Sequence, residues 1–230
     1  PYWIQNRIQS KDARIRLLLS LFANLKVTDW LTLQARGNLD YSADKLRQKF
    51  YASTATALCG MNGRYIEMDY QETQMYGDVM AMVKKQLNDF TLDVAIGGSI
   101  NDRITNSTRI DSKNASLKYA NVFNLANIVM SSSASIDQKI DAHYQLQSVF
   151  ATAQIGYKEG VFLDLTARND WSSTLAYTKY EKKGFFYPSV GVSFLPDKWV
   201  KMPEWVSFSK LRGAYSIVGN GVPPFITYPV

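Results

Sequence analysis

The chain has 230 residues, 46% hydrophobic and 13% aromatic, with a formal net charge of +6. No run of about 18 apolar residues occurs, which excludes a transmembrane helix but not a membrane protein that crosses with strands. The basic residues are scattered, with no cluster of five or more, so the charge reads as dispersed lumen and loop charge rather than a nucleic-acid surface.

Residues 13–27 alternate almost without error. Ala13, Ile15, Leu17, Leu19, Leu21, Ala23, Leu25 and Val27 are apolar, while Arg14, Arg16, Ser20, Asn24 and Lys26 fall between them. Strand side chains alternate between faces, so this is a long strand with one apolar face and one largely polar face. Thr28-Asp29 turns it, and Trp30 sits where an aromatic belt residue meets lipid headgroups. A second strand over 31–41 sets Leu31, Leu33, Ala35, Gly37, Leu39 and Tyr41 against Thr32, Gln34, Arg36, Asn38 and Asp40. Such a polar face suits a wet lumen better than a dry core. Arginine on the apolar face, at Leu19 or Leu33, is therefore expected to be costly, and at Ser20 or Gln34 tolerated.

Further alternating segments follow at 72–85, 90–100, 142–157, 161–170, 185–195 and 206–218, about eight strands in all. The turns at 28–29, 86–89 and 158–160 are short, and 197–200 fits one helical turn. Polar segments at 42–71, 101–141 and 172–184 are long. Short turns at one end and long loops at the other are the pattern of bacterial outer-membrane barrels, and compact soluble domains rarely carry such loops.

No catalytic or metal constellation emerges. Cys59 is the one cysteine and His143 the one histidine, with no nucleophile motif nearby. Gly97-Gly98 lacks a following helix and a GKS or GKT, so it reads as strand glycine. Asp164 and Asp170 sit six residues apart on one strand face, roughly 20 Å, too far for a glycosidase pair. Tyr65, Tyr70, Tyr119 and Trp171 fall in or near the long segments and are candidate stacking platforms for sugars or peptides. The plainer reading of loop packing and interfacial anchoring stands beside it.

Four strings point further. Lys210-Leu211-Arg212-Gly213-Ala214-Tyr215-Ser216-Ile217-Val218-Gly219-Asn220, Ala167-Arg168-Asn169-Asp170-Trp171-Ser172-Ser173, Phe186-Tyr187-Pro188-Ser189-Val190-Gly191-Val192-Ser193-Phe194 and Pro1-Tyr2-Trp3 occur in order. They resemble the motifs of SusC/RagA-family TonB-linked outer-membrane transporters of Bacteroidetes, over essentially the whole chain. Trp171, where many members carry Gly, and Ile217-Val218, where Gly and Thr are commoner, are small departures. The resemblance implies an all-β fold: a partial antiparallel up-and-down transmembrane β-barrel, about eight strands of a 22-stranded wall. It implies that residues 1–230 are a barrel piece without the signal peptide, TonB box and plug domain, Pro1-Tyr2-Trp3-Ile4 having no signal-peptide character and Tyr228-Pro229-Val230 reading as cut. It also implies energised import of oligosaccharides or peptides with a SusD-like surface lipoprotein and the TonB complex. No cofactor, enzyme activity or nucleic acid is expected. A siderophore or cobalamin receptor and a soluble secreted glycan-binding β-protein are the alternatives.

Overall fold

The computed structural model describes residues 6–113, 117–130, 134–179, 181–203 and 205–219. Among them, β1 (Ile8–Lys26), β2 (Leu31–Phe50), β3 (Arg64–Leu87), β4 (Phe90–Asp111), β5 (Ser135–Tyr157), β6 (Val161–Ser172), β7 (Phe185–Phe194) and β8 (Leu211–Ser216) form one sheet in chain order. The up-and-down topology expected from the sequence is present, with β1 and β8 at the two ends of the order. Pro1-Tyr2-Trp3 and Asn220 lie outside the described residues.

Register follows the turns. Ala153, Leu165, Val190 and Tyr215 stand side by side across β5, β6, β7 and β8, and Thr152, Thr166, Ser189 and Ser216 form the next row on the opposite face. Alternation thus continues without slippage from strand to strand, as it must where one face is apolar.

The strands run further than the alternation alone suggests. β3, β4 and β5 have 24, 22 and 23 residues. The long connections shrink to residues 51–63 and 112–134, while 173–184 is close to its expected span. A spanning strand needs only about 9–11 residues. Past that length both faces are wet, the apolar period disappears, and the strand continues on polar residues that resemble loop. The last strand is shorter than expected, and the expected helical turn is a 3-10 turn at Pro196–Lys198.

Two compact parts can be described. The first comprises Pro1–Leu19, Leu39–Gln74 and Arg103–His143. Its core is small: Tyr65, Leu117 and Ile128 are buried together, with Ile110, Phe123 and Ala134 packed against them. Tyr51 meets Phe123 edge-on at 5.1 Å. Polar clamps hold the two connections together. Asn62 Nδ2 donates to the Leu117 carbonyl at 2.6 Å, and the Ala52 N–H donates to Asn121 Oδ1 at 2.8 Å. Buried Asn127 accepts from the Tyr119 N–H and donates to the Tyr119 and Val122 carbonyls, so its amide is satisfied.

The second part comprises Ser20–Asn38, Met75–Asp102 and Tyr144–Val230. Here glycines seat aromatic rings. A Cβ on Gly97 would lie 2.6 Å from the Val79 carbonyl oxygen and 2.7 Å from the Phe150 ring. Gly97→Val is expected to destabilise the folded protein by about 1–3 kcal/mol through overpacking, read by urea unfolding in lipid, whereas Gly37→Ala, with open space around it, is expected to be near neutral.

Candidate functional site

The two faces of the second part define its surroundings. One carries Val94, Ile96, Ala151, Ala153, Leu165, Ala167, Pro188, Val190 and Tyr215 around a shallow groove of about 470 Å³. Many of its side chains are exposed, including Ile96, Val149, Val190 and Val192. Contiguous exposed apolar surface on this scale marks an interaction surface, here with lipid.

Aromatic residues bound this face. Phe90 and Tyr157 rings lie 4.8 Å apart and Tyr157 and Trp199 5.7 Å apart, beside the short turns that also carry Trp30. Trp199 seats over Gly160, where a Cβ would collide with its indole Nε1. At the other end of β6, Trp171 shares the face of Val161, Leu163 and Leu165 by strand alternation. Val161 and Trp171 are ten residues apart, roughly 33 Å of strand, which at a tilt of about 40° spans about 25 Å of membrane. That matches the apolar band of an outer-membrane barrel. By parity Trp171 falls on the apolar face, at the height expected of a girdle residue.

The opposite face is charged and polar. In the first part, Arg14 pairs with Asp44, and Arg16 Nη2 lies 2.6 Å from Asp40 Oδ2; the second part carries its own pairs. Arg36 Nε donates to both carboxylate oxygens of Asp78, at 3.1 and 2.9 Å, and the Asp78 side chain is fully buried beneath it. Arg168 bridges Asp170 and Ser148. Each guanidinium is tied on one edge and half-open on the other, which leaves N–H donors free for hydroxyl, carbonyl or carboxylate groups of a solute. Further along, Gln154, Phe162, Asp164, Thr166, Ser193, Lys210 and Arg212 line a polar groove of about 520 Å³. The sequence reading singled out none of these residues as contacts. Their signal was the polar parity of each strand combined with hairpin pairing, which sets Arg14 opposite Asp44 once the turn at 28–29 is known.

The remaining aromatic candidates separate. Tyr65 lies on β3, not in a loop, and is 4% exposed in the core under residues 112–134, its hydroxyl donating to Glu67 Oε2 at 2.8 Å. It holds the loop down instead of facing solvent. Burial and then the Glu67 hydrogen bond push its phenol up to about 12. The folded form therefore favours the protonated phenol: this contribution is complete below about pH 10 and is lost as pH rises through 12. An alkaline ultraviolet titration is expected to show tyrosine ionisation extending to about pH 12, with the part near pH 12 reduced in Tyr65→Phe. Tyr70 is also on β3, its hydroxyl donating to Glu72 at 2.6 Å. Tyr119 is 71% exposed on the loop surface while Asn127 fixes its backbone. Cys59 is buried, and burial pushes its thiol up, which makes it inert packing.

An apolar band of membrane height, aromatic girdles and a wet opposite face define the wall of a transmembrane β-barrel. Residues 1–221 match the family model "TonB dependent receptor-like, beta-barrel", and the chain belongs to that family. It is part of the wall of an integral outer-membrane protein, in a family of receptors and transporters. No curated protein matches it. Among solved structures it is similar to the RagAB peptide importer in the open-open state, with a TM-score of 0.78, 20% identity, 94% of this chain covered and 23% of that one. The RagAB peptide transporter gives 0.78, 20%, 94% and 24%, and the closed-closed state of the importer 0.76, 20%, 94% and 23%. The chain thus spans about a quarter of the length of the proteins it matches.

Proposed function

We propose that this chain belongs to a SusC/RagA-type importer that moves oligosaccharides or peptides through the barrel with TonB-derived energy and a SusD-like surface lipoprotein. The observation that carries the reading is the family match over residues 1–221, joined to the ordered SusC/RagA motif strings. The charged polar face supports it: a solute on that side meets half-open guanidinium groups rather than hydrocarbon. The loop surface offers a partner contact. Met61, Tyr119, Leu125 and Met130 are exposed on a platform whose underside is locked.

The test uses the intact transporter. Removing residues 113–133 would strip Leu117 and Ile128 from over Tyr65, so surface substitutions are cleaner. Met61→Ser with Tyr119→Ala is expected to leave barrel assembly unchanged and to lower lipoprotein co-purification and energised uptake. Tyr70→Phe, on the strand below, is expected to alter uptake without altering co-purification. Unchanged co-purification and uptake in the platform variant would remove the loop from capture. Uptake that persists after loss of TonB would remove the transport reading itself.

A further inference from the structure

On the wet face of the second part, Arg36 lies against Asp78 and Arg168 against Asp170. Arg212 has no such acid. It stands on β8 opposite Ser193 of β7, which stands opposite Phe162 of β6. Lys210, just before β8, joins it at the polar groove of about 520 Å³. Both cations are exposed, and neither has a hydrogen bond or ion pair among the described residues. Ser193 lines the same groove and is 4% exposed, and its hydroxyl also has no partner among the described residues. A buried hydroxyl is normally hydrogen-bonded. The acid of the groove, Asp164, is engaged on the β5 side, where it accepts from Gln154 Nε2 at 2.7 Å. Its row runs Gln154, Asp164, Gly191 and Ala214 from β5 to β8. The β7 and β8 positions of that row carry nothing longer than a methyl group, so the space between Asp164 and the two cations stays open.

We propose that Arg212, Lys210 and Ser193 form a site for a carboxylate group of the transported solute. This deepens the importer reading and rests on it. A guanidinium presents a planar fork of N–H donors that matches the two oxygens of a carboxylate. Lys210 adds a compact charge, and Ser193 a neutral donor. Phe162, in the row of Ser193 and Arg212, offers an apolar wall to the carbon skeleton behind the carboxylate. Asp164 limits the charge the groove accepts. It stands roughly 12 Å from Arg212 between backbones, two strand spacings across and two residues along. With two cations against one carboxylate the groove keeps a single positive charge, and a second anionic group would meet Asp164. A hydroxyl or ammonium group at that end can instead donate to the Asp164 oxygen that Gln154 leaves open. The matching solute therefore has one carboxylate at one end and hydrogen-bond donors at the other. The free C-terminus of a short peptide and a single uronic acid on a glycan both carry that chemistry. A neutral glycan offers the cations nothing.

The test titrates two pairs of probes into the intact transporter in lipid nanodiscs, by calorimetry. One pair is tetra-alanine with a free C-terminus and its C-terminal amide. The other is glucuronosyl-xylose and its methyl ester. At least one acid is expected to bind about tenfold or more tightly than its neutral partner. Arg212→Gln is expected to remove most of that preference and to leave the neutral partner's affinity unchanged, which places the carboxylate at Arg212. Arg212→Lys, which keeps the charge without the fork, retains part of the preference. The pair that shows the preference identifies the carrier as peptide or glycan. Should Arg212→Gln fail to reach the cell surface, Lys210→Gln with Ser193→Ala carries the same comparison. No binding of either acid, equal affinity within both pairs, or a preference that survives Arg212→Gln would overturn the proposal. Equal weakening of acid and neutral partner would assign Arg212 to the scaffold or to another segment of the longer protein, and overturn it too. Energised uptake separates the two readings: TonB-dependent uptake without any preference for the acid removes only the site.

Discussion

Leu165→Arg is expected to lower the stability of the intact protein in lipid by about 2–4 kcal/mol, the range for a basic residue near the bilayer midplane. Leu165 lies between the inner girdle at Tyr157 and Trp199 and the outer one at Trp171, in a row with Ala153, Val190 and Tyr215. Thr166→Arg, one residue on, sits in the polar row of Thr152, Ser189 and Ser216 and is expected to cost well under half as much. Urea unfolding in lipid vesicles measures both, and equal losses would refute the assignment of faces. The same geometry grades the positions first chosen from sequence. Leu33 is only two residues from the start of β2, near Trp30, so arginine there is expected to cost less than at Leu165.

Arg64→Met should be the most damaging single change in the outer loops. Asp111 is 2% exposed and accepts from Arg64 Nε at 2.9 Å, Arg64 Nη2 at 2.8 Å, Arg109 Nη2 at 3.2 Å and the Lys113 N–H at 2.8 Å. Removing one partner of a buried pair typically costs about 3–5 kcal/mol; Arg109 and Lys113 remain and Arg64 is part-exposed, so about 2–3 kcal/mol is expected. The readout is proteolytic clipping within residues 112–134, with the barrel intact. Arg64→Met with Asp111→Leu is expected to recover part of the loss, because no charge is then left buried. Asp111 ends β4 at the far end from its short turn, outside the apolar band. Burial alone would lift its carboxyl, but the Arg64 and Lys113 hydrogen bonds outweigh that and hold it below the usual range. Its contribution is therefore present above about pH 4 and lost as pH falls further, so the loops are expected to become protease-sensitive in acid before the barrel yields.

What was legible in the sequence tracks where lipid imposes a rule. Leu19, Leu33, Ile96 and Leu165 announce their strands because hydrocarbon on one side forces an apolar residue at every second position. Arg64 to Gln74 and Ser42 to Phe50 are no less regular as strands, yet water on both faces removes that constraint, and they read as loop. Tyr65 shows the same loss: nothing in its neighbourhood of sequence reveals that Leu117 and Ile128, more than fifty residues on, will cover it. Trp171 reads in sequence as an aromatic near a loop, and the face it takes depends on parity counted from Val161, which only the full strand supplies. The beginning of β5 was missed for a sharper reason. Ile140, Ala142, Tyr144 and Leu146 fall on one parity and Val149, Ala151, Ala153 and Ile155 on the other, so the apolar period breaks where the strand leaves the band between the girdles.

The limited height of the apolar band has a genetic corollary. Along most of this sheet, inserting or deleting a single codon would turn every residue beyond it to the wrong side and leave hydrocarbon facing arginines. Residues 135–141 lie past the start of the β6 ladder at Leu146 and past the level of Trp171, where the strand faces water on both sides. Single-codon insertions and deletions should therefore survive selection around residues 135–141 and be purged from 147–157 of the same strand. A library of such variants, sorted for transporter displayed at the cell surface, should trace the height of the membrane along β5 from the pattern of surviving reading lengths alone.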